Sequence, residues 1–164
     1  MELRRALSSD ADQIWTVRAR AIRSGCRAHY AAQDIETWAS APMHPTFPAR
    51  VAQEEFVVAE LGARIIGFAG LKAETKEIDA LFVCPDFAGQ RLGTRLLAHV
   101  ETLARSLGIK VVTLKASLNS VAFYQAAGYI AGSPGWHVTG SGLKIACVHM
   151  AKVLTNDAAR WLRT

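Results

Sequence analysis

Apolar residues recur along this chain in two rhythms, and the switches between them predict its elements. Glu2 to Ala6 reads as a short opening strand, and Ser8-Ser9-Asp10 supplies helix-start residues. Ile14, Val17, Ala21 and Ile22 then repeat at helical spacing to about Cys26. A second short helix is expected over Gln33 to Ala39, ended by the Ala41-Pro42 step and by Pro45 and Pro48. From Glu55 the period changes. Phe56 to Ala59 and Arg64 to Leu71 read as strands joined by a Leu61-Gly62-Ala63 hairpin turn, and a third strand runs from about Lys76 to Val83, halted by Pro85.

The longest predicted helix carries Leu92, Leu96, Val100, Leu103 and Leu107 on one apolar stripe, with Arg95, His99 and Glu101 off it and Gly108 as its terminator. Val111 to Leu114 is the next strand, and Ser120 to Ala127 a short helix. Gly128-Tyr129-Ile130 opens another strand, Leu143 to Val148 is the last, and a helical tail is expected within 154–164, from Asn156. The order β, α, α, β, β, β, α, β, α, β, β is that of a mixed α/β (α+β) layer fold with a largely antiparallel front half. No linker or repeat divides residues 1–164, which are expected to form a single domain.

Composition narrows the function classes. With 51% apolar and 20% charged residues the chain reads as globular. No apolar run approaches the roughly 18 residues of a membrane span, and Met1-Glu2-Leu3-Arg4-Arg5 offers no signal-peptide core, so a cytoplasmic protein without membrane association is expected. Cys26, Cys84 and Cys147 are widely spaced without a paired C-x-x-C motif, which argues against a disulfide framework and against a metal site. The net charge of +5 suits either nucleic acid or a smaller polyanion. The basic residues are scattered, with no helix-turn-helix or RNP pattern, which favours the small anion over nucleic acid.

One stretch carries chemistry: Leu81-Phe82-Val83-Cys84-Pro85-Asp86-Phe87-Ala88-Gly89-Gln90-Arg91-Leu92-Gly93-Thr94-Arg95-Leu96-Leu97. It is a strand, a loop with glycines and the start of a long helix, where unpaired N–H groups and the helix dipole favour phosphate oxygens. Gly89 and Gly93 are expected to let a ligand approach the backbone. The stretch has neither the Gly-Lys-Ser/Thr of a Walker loop nor G-x-G-x-x-G spacing. An ordinary strand-to-helix turn is the competing reading.

The pattern L-F-V-x-P-x-x-x-G-x-x-x-G-x-x-L-L resembles the acetyl-CoA motif of GNAT N-acetyltransferases, and Asn119-Ser120-Val121-Ala122-Phe123-Tyr124 through Gly128-Tyr129 resembles that family's second signature. The ending, Gly142 to Lys152, is similar to a bacterial subgroup of small members. The resemblance spans Glu2 to about Val153. It implies a GNAT-like fold: a central mixed, mostly antiparallel twisted sheet flanked by helices on both faces. It also implies acetyl-CoA as co-substrate, with Leu81, Phe82, Val83, Gly89, Gln90, Arg91, Leu92, Gly93, Thr94, Asn119 and Tyr124 at its site. There are departures. Ala88 stands where the family usually has Arg or Gln, and Arg91 replaces a glycine, adding a guanidinium able to bond phosphate.

The resemblance assigns roles that each compete with a plainer one. Tyr124 matches the tyrosine that protonates the departing CoA sulfur; a packing aromatic is the alternative. Asn119 matches a residue that contacts the pantetheine or an ordered water, but Asn also caps helices well. Glu77 falls where several members carry a base that deprotonates the amine. Strand alternation puts Glu77, Asp79, Leu81 and Val83 on one face, making Asp79 the reserve base, and a solvated carboxylate is the alternative for either. Arg27, His29, Tyr30, Trp38, Trp136 and His137 are candidates to shape an acceptor pocket, and Cys84 reads as a packed hydrophobe. The implied activity is direct acetyl transfer to a primary amine of a small molecule or peptide in a ternary complex. The alternative is a catalytically inactive acyl-CoA-binding sensor. The resemblance also leaves a homodimer open.

Overall fold

The computed structural model describes residues 1–155, so the helix expected from Asn156 lies outside the described residues. Strand β1 (Glu2–Arg5) leads through a short turn at Ser8–Asp10 into helix α1 (Ala11–Gly25), followed by α2 (Ala32–Ala39) and α3 (Phe47–Gln53). Strands β2 (Glu55–Leu61), β3 (Arg64–Lys72) and β4 (Glu77–Val83) form a meander. Then come α4 (Leu92–Ser106), β5 (Val111–Ser117), α5 (Val121–Ala126), β6 (Ile130–Val138) and β7 (Lys144–Val153). Helix α3 was not expected. The prolines that read as breakers admit a helix because Pro48 sits in its first turn, where a missing N–H costs nothing.

Among the described residues the strands form one seven-stranded sheet, ordered β1-β2-β3-β4-β5-β7-β6. Its ladders are antiparallel except β4–β5, which is parallel and is bridged by α4, as a parallel pair requires. That parallel pairing consists of one register pair, Glu77 with Thr113, supported by Thr113 N–H donating to the Lys76 carbonyl at 3.1 Å. Beyond this point the two strands part.

Each face of the sheet has its own core. Leu92, Leu96, Leu97, Val100 and Ala104 of α4 pack with Tyr124 of α5 on Val57, Ile66, Leu71, Val112 and Leu114. A fully buried Leu or Val of this kind contributes roughly 1.5–3 kcal/mol. On the other face Ile14 and Val17 of α1 and Phe47 and Val51 of α3 pack on Phe56, Val58 and Phe68. Ile22, Cys26, Ile35 and Trp38 gather with Ile145 near the β7 end.

Two corrections concern α4. Leu107 is exposed rather than part of the stripe, since it follows the last helical turn. Glu101, expected off the stripe, is buried: its carboxylate accepts two 3.0 Å bonds from Lys152 Nζ and one of 3.0 Å from the Tyr129 hydroxyl. Gly108 does end the helix, in the left-handed conformation at φ 76°.

Candidate active site

The divergence of β4 and β5 sets the geometry of the site. β4 keeps β3 along one edge, while from Ile78 onward its other edge faces an opening toward β5. Residues Leu81, Phe82 and Val83 line the near wall and lead to α4; Ser117 ends the far wall and leads to Asn119 and α5. The opening is thus walled by β-strand backbone and ends at two helix starts.

At the first of these, Gly89 has φ 77° and Arg91, the residue before α4, has φ 60°. Left-handed backbone suits glycine, whereas an L side chain there costs roughly 1–2 kcal/mol. No side chain caps α4, and its first turn holds no acidic residue. Gln90, Arg91, Thr94 and Arg95 are exposed around it while Leu92 is buried. An uncapped, cation-flanked helix start of this kind fits a pyrophosphate, and the open strand edge fits an amide-bearing arm. At Gly93 a Cβ would lie 3.4 Å from the Phe123 ring, at van der Waals contact, so α4 and α5 meet closely here.

Tyr124 is buried, packed edge-on against Phe123 (ring centroids 5.1 Å apart) and Tyr129 (5.5 Å). Burial pushes its phenol well above the ordinary value, so it carries its proton at neutral pH. Asn119 is exposed and does not cap α5, whose N-cap is Ser120. Its Oδ1 lies 3.5 Å from Cys26 Sγ at the end of α1, across from α5.

The expected single face of Glu77, Asp79, Leu81 and Val83 does not exist. A β-bulge offsets the register between Gly70–Ala80 and Leu71–Ile78, leaving Asp79 as the extra residue. Leu81 and Val83 consequently pack under α4, while Asp79 turns to the opposite side, beside Phe56. There Asp79 pairs with Arg50 (2.9 Å) and Lys72 (3.5 Å), with one carboxylate oxygen buried and unpartnered. Burial raises its pKa, against the opposing pull of Arg50 and Lys72. Glu77 is half-buried at the vertex of the opening, and its charge acts on the His137 imidazole. That imidazole is held below its ordinary pKa by burial first and then by the nearby charges of Lys115 and Arg18.

Of the acceptor-pocket candidates, Tyr30, Trp38 and His137 come together: Trp38 lies 6.1 Å from Tyr30 and 6.4 Å from His137, centroid to centroid. The Tyr30 hydroxyl accepts from Leu118 N–H (2.8 Å) and donates to the Ala146 carbonyl (2.6 Å), tying β5 to β7. Arg27, His29 and Trp136 are exposed and do not join them. Cys84 is buried, with Arg20 Nη1 3.0 Å from its sulfur. Arg18 and Lys115 were not anticipated. Each is a single basic residue on an otherwise ordinary element, and only the tertiary fold brings them to His137. Among the described residues no group of three or more His, Cys, Asp or Glu side chains is arranged to hold a metal ion, and no helix is long and apolar enough to cross a membrane.

A family model for the GNAT acetyltransferase domain matches residues 26–154. The chain belongs to the GNAT acetyltransferases. A GCN5-related N-acetyltransferase structure from Rhodopseudomonas palustris is 32% identical and superposes with a TM-score of 0.86, over 93% of this chain and 95% of that one. At 20% identity, and so as likenesses of fold, come PaiA N-acetyltransferase from Thermoplasma acidophilum in complex with coenzyme A (TM-score 0.68, 93% and 98% covered) and YncA from Salmonella typhimurium with acetyl-CoA (0.67, 95% and 95%). No curated protein matches the sequence. GNAT membership brings acetyl-CoA-dependent acetyl transfer as the class of reaction, and the mixed, mostly antiparallel sheet with helices on both faces agrees with it.

Proposed function

We propose that residues 1–164 work as one N-acetyltransferase domain, which transfers the acetyl group of acetyl-CoA to a primary amine by direct attack in a ternary complex. The observation that carries this reading is the opening between β4 and β5, with an uncapped helix start at its mouth. The amides of Gly89 to Thr94, with the Arg91 side chain, hold the phosphates. The free edge of β4 at Leu81 to Val83 aligns the pantetheine arm, and Asn119 steadies it from the far wall. The amine must lose its proton before attack, since amines of pKa near 10 are charged at neutral pH. Glu77, at the vertex of the opening, receives that proton, directly or through water. The C–N bond forms as the C–S bond breaks, the departing thiolate takes its proton from the Tyr124 hydroxyl, and the second proton shed by the acylated nitrogen leaves to solvent, from which Tyr124 is reprotonated.

Thiol release measured over a panel of primary amines tests the reaction. Tyr124→Phe should retain acetyl-CoA affinity by calorimetry and lose about 10²-fold or more in turnover, the range for general acid catalysis. Equal activity in the folded variant would reduce Tyr124 to packing. A wild-type protein that binds acetyl-CoA yet releases no thiol with any amine would instead be an acyl-CoA sensor.

A further inference from the structure

Arg18 is built into the same face as Glu77 and His137 and, among the described residues, makes no ion pair. Its guanidinium lies 4.4 Å above the Trp15 ring and donates from Nη2 to the Trp38 carbonyl at 3.0 Å. Those contacts fix the group in place. Nη1, however, is buried without a hydrogen-bond partner, and Arg18 enters no ion pair among the described residues. A half-buried, fixed guanidinium with one buried and unanswered N–H group is costly to fold unless a ligand completes it.

The surroundings say what that ligand carries. Arg18, Lys115, Lys72 and Glu77 all lie close enough for their charges to act on the His137 imidazole. Lys72 is already drawn to Asp79 at 3.5 Å. Thr113 and Lys115 are exposed on the side of β5 opposite Leu114 and Ala116, which pack under α4, so this face is open. Among the described residues whose charges act on His137, Glu77 is therefore the single carboxylate set against Arg18 and Lys115, and in the reaction proposed above it is engaged by the amine. A substrate bearing only an ammonium group would enter a face with surplus positive charge and leave Arg18 unanswered.

We propose that the acceptor is a small amino-carboxylate, bearing the reactive primary amine and a carboxylate on one molecule, and that Arg18 binds the carboxylate. With Nη2 committed to the Trp38 carbonyl and the guanidinium lying over the Trp15 ring, Nη1 is the group left to answer, a setting matched by a planar monoanion rather than a more heavily hydrated phosphonate dianion. The inference rests on the amine-acetyltransferase reading and names its substrate class.

Thiol release with matched pairs tests it: γ-aminobutyrate against propylamine, β-alanine against ethylamine, lysine against cadaverine, phenylalanine against phenethylamine, and β-alanine against 2-aminoethylphosphonate. In the pair that reacts, the carboxylate member should show a kcat/KM roughly 10²-fold or more above its twin, because a site built for a polar group rejects the analogue lacking it. Arg18→Met should collapse that ratio to within a few-fold, chiefly by raising KM for the carboxylate member. Arg18→Lys, which keeps the charge, should hold an intermediate ratio and serves should the Met variant not fold. Twins that react as well as the carboxylates, a preference for the phosphonate, or a ratio that survives both substitutions would overturn the inference and leave the acetyltransferase reading standing. No thiol release with any amine, by protein that binds acetyl-CoA in calorimetry, would instead remove that reading and this one with it.

Discussion

Replacing Lys152 by Met cuts the charged arm of a buried network while keeping most of its aliphatic stem. Glu101 has a side chain only 8% exposed and receives two 3.0 Å bonds from Lys152, one from Tyr129 and a longer 3.8 Å approach from Arg105. Removing one partner of a buried pair costs about 3–5 kcal/mol when nothing else answers the charge. Here Tyr129 and Arg105 remain, and Lys152 keeps 23% of its side chain in solvent, which brings the expected loss to about 2–3 kcal/mol. At roughly 2–4 °C per kcal/mol for a chain of this size, Tm should fall by about 4–12 °C. Urea unfolding followed by tryptophan fluorescence gives the free energy directly. The double variant Glu101→Leu with Lys152→Met should recover part of the loss, because it removes the buried carboxylate itself, while the Tyr129 hydroxyl loses its acceptor and Arg105 its 3.8 Å neighbour. A single-variant loss below about 0.5 kcal/mol, or strict additivity in the cycle, would refute the reasoning. The network also bears on the site, since Tyr129 packs against Tyr124.

Arg91→Gly should raise Tm slightly, because relief of left-handed strain outweighs the added freedom of the unfolded chain by up to about 1 kcal/mol, while acetyl-CoA affinity in calorimetry falls; Arg91→Glu should weaken binding further. Asp10 accepts 2.8 and 3.0 Å bonds from Arg4 and one of 2.7 Å from Leu7 N–H, which hold its pKa below the ordinary value. Its contribution is therefore present above the unfolded pKa near 3.9 and lost as pH falls through the lower folded value, so Asp10→Asn should cost about 1–3 kcal/mol at pH 7 and progressively less in acid unfolding measurements. Glu77→Gln should depress the acetylation rate most at low pH and recover as rising pH deprotonates the amine; an unmoved profile alongside a shifted one in Asp79→Asn would pass the role of base to Asp79.

What was legible in the sequence is what short-range chemistry decides. The Leu61-Gly62-Ala63 turn, the Gly108 terminator and the strand-loop-helix at Gly89 each depend on residues within a few positions, and the structure places positive φ at Gly62, Gly89 and Gly108. The bulge at Asp79 was not legible, because it is a property of the pairing with Gly70 and Leu71 and leaves no mark on β4 alone. The burial of Glu101 depends on Lys152, 51 positions away. Helix α3 was hidden by reading every proline as a stop. Arg18 gave no signal, since beyond Trp15 on its own helix its neighbours Trp38 and His137 come from α2 and β6.

With backbone contact limited to the Glu77–Thr113 rung, the sheet behaves as two plates on a pin: β1 to β4 on one side, and β5, β7 and β6 on the other. Side-chain packing under α4 holds the plates together, but packing is non-directional and tolerates small rotations that a full ladder would forbid. The pin thus makes the width of the gap a soft coordinate, and the angle between the plates the cheapest large-scale distortion of the sheet. A ligand arm that hydrogen-bonds along β4 while touching β5 acts as a splint across the joint. It should damp this rocking, slow amide exchange on both lips of the gap together and fuse two partly independent unfolding units into one.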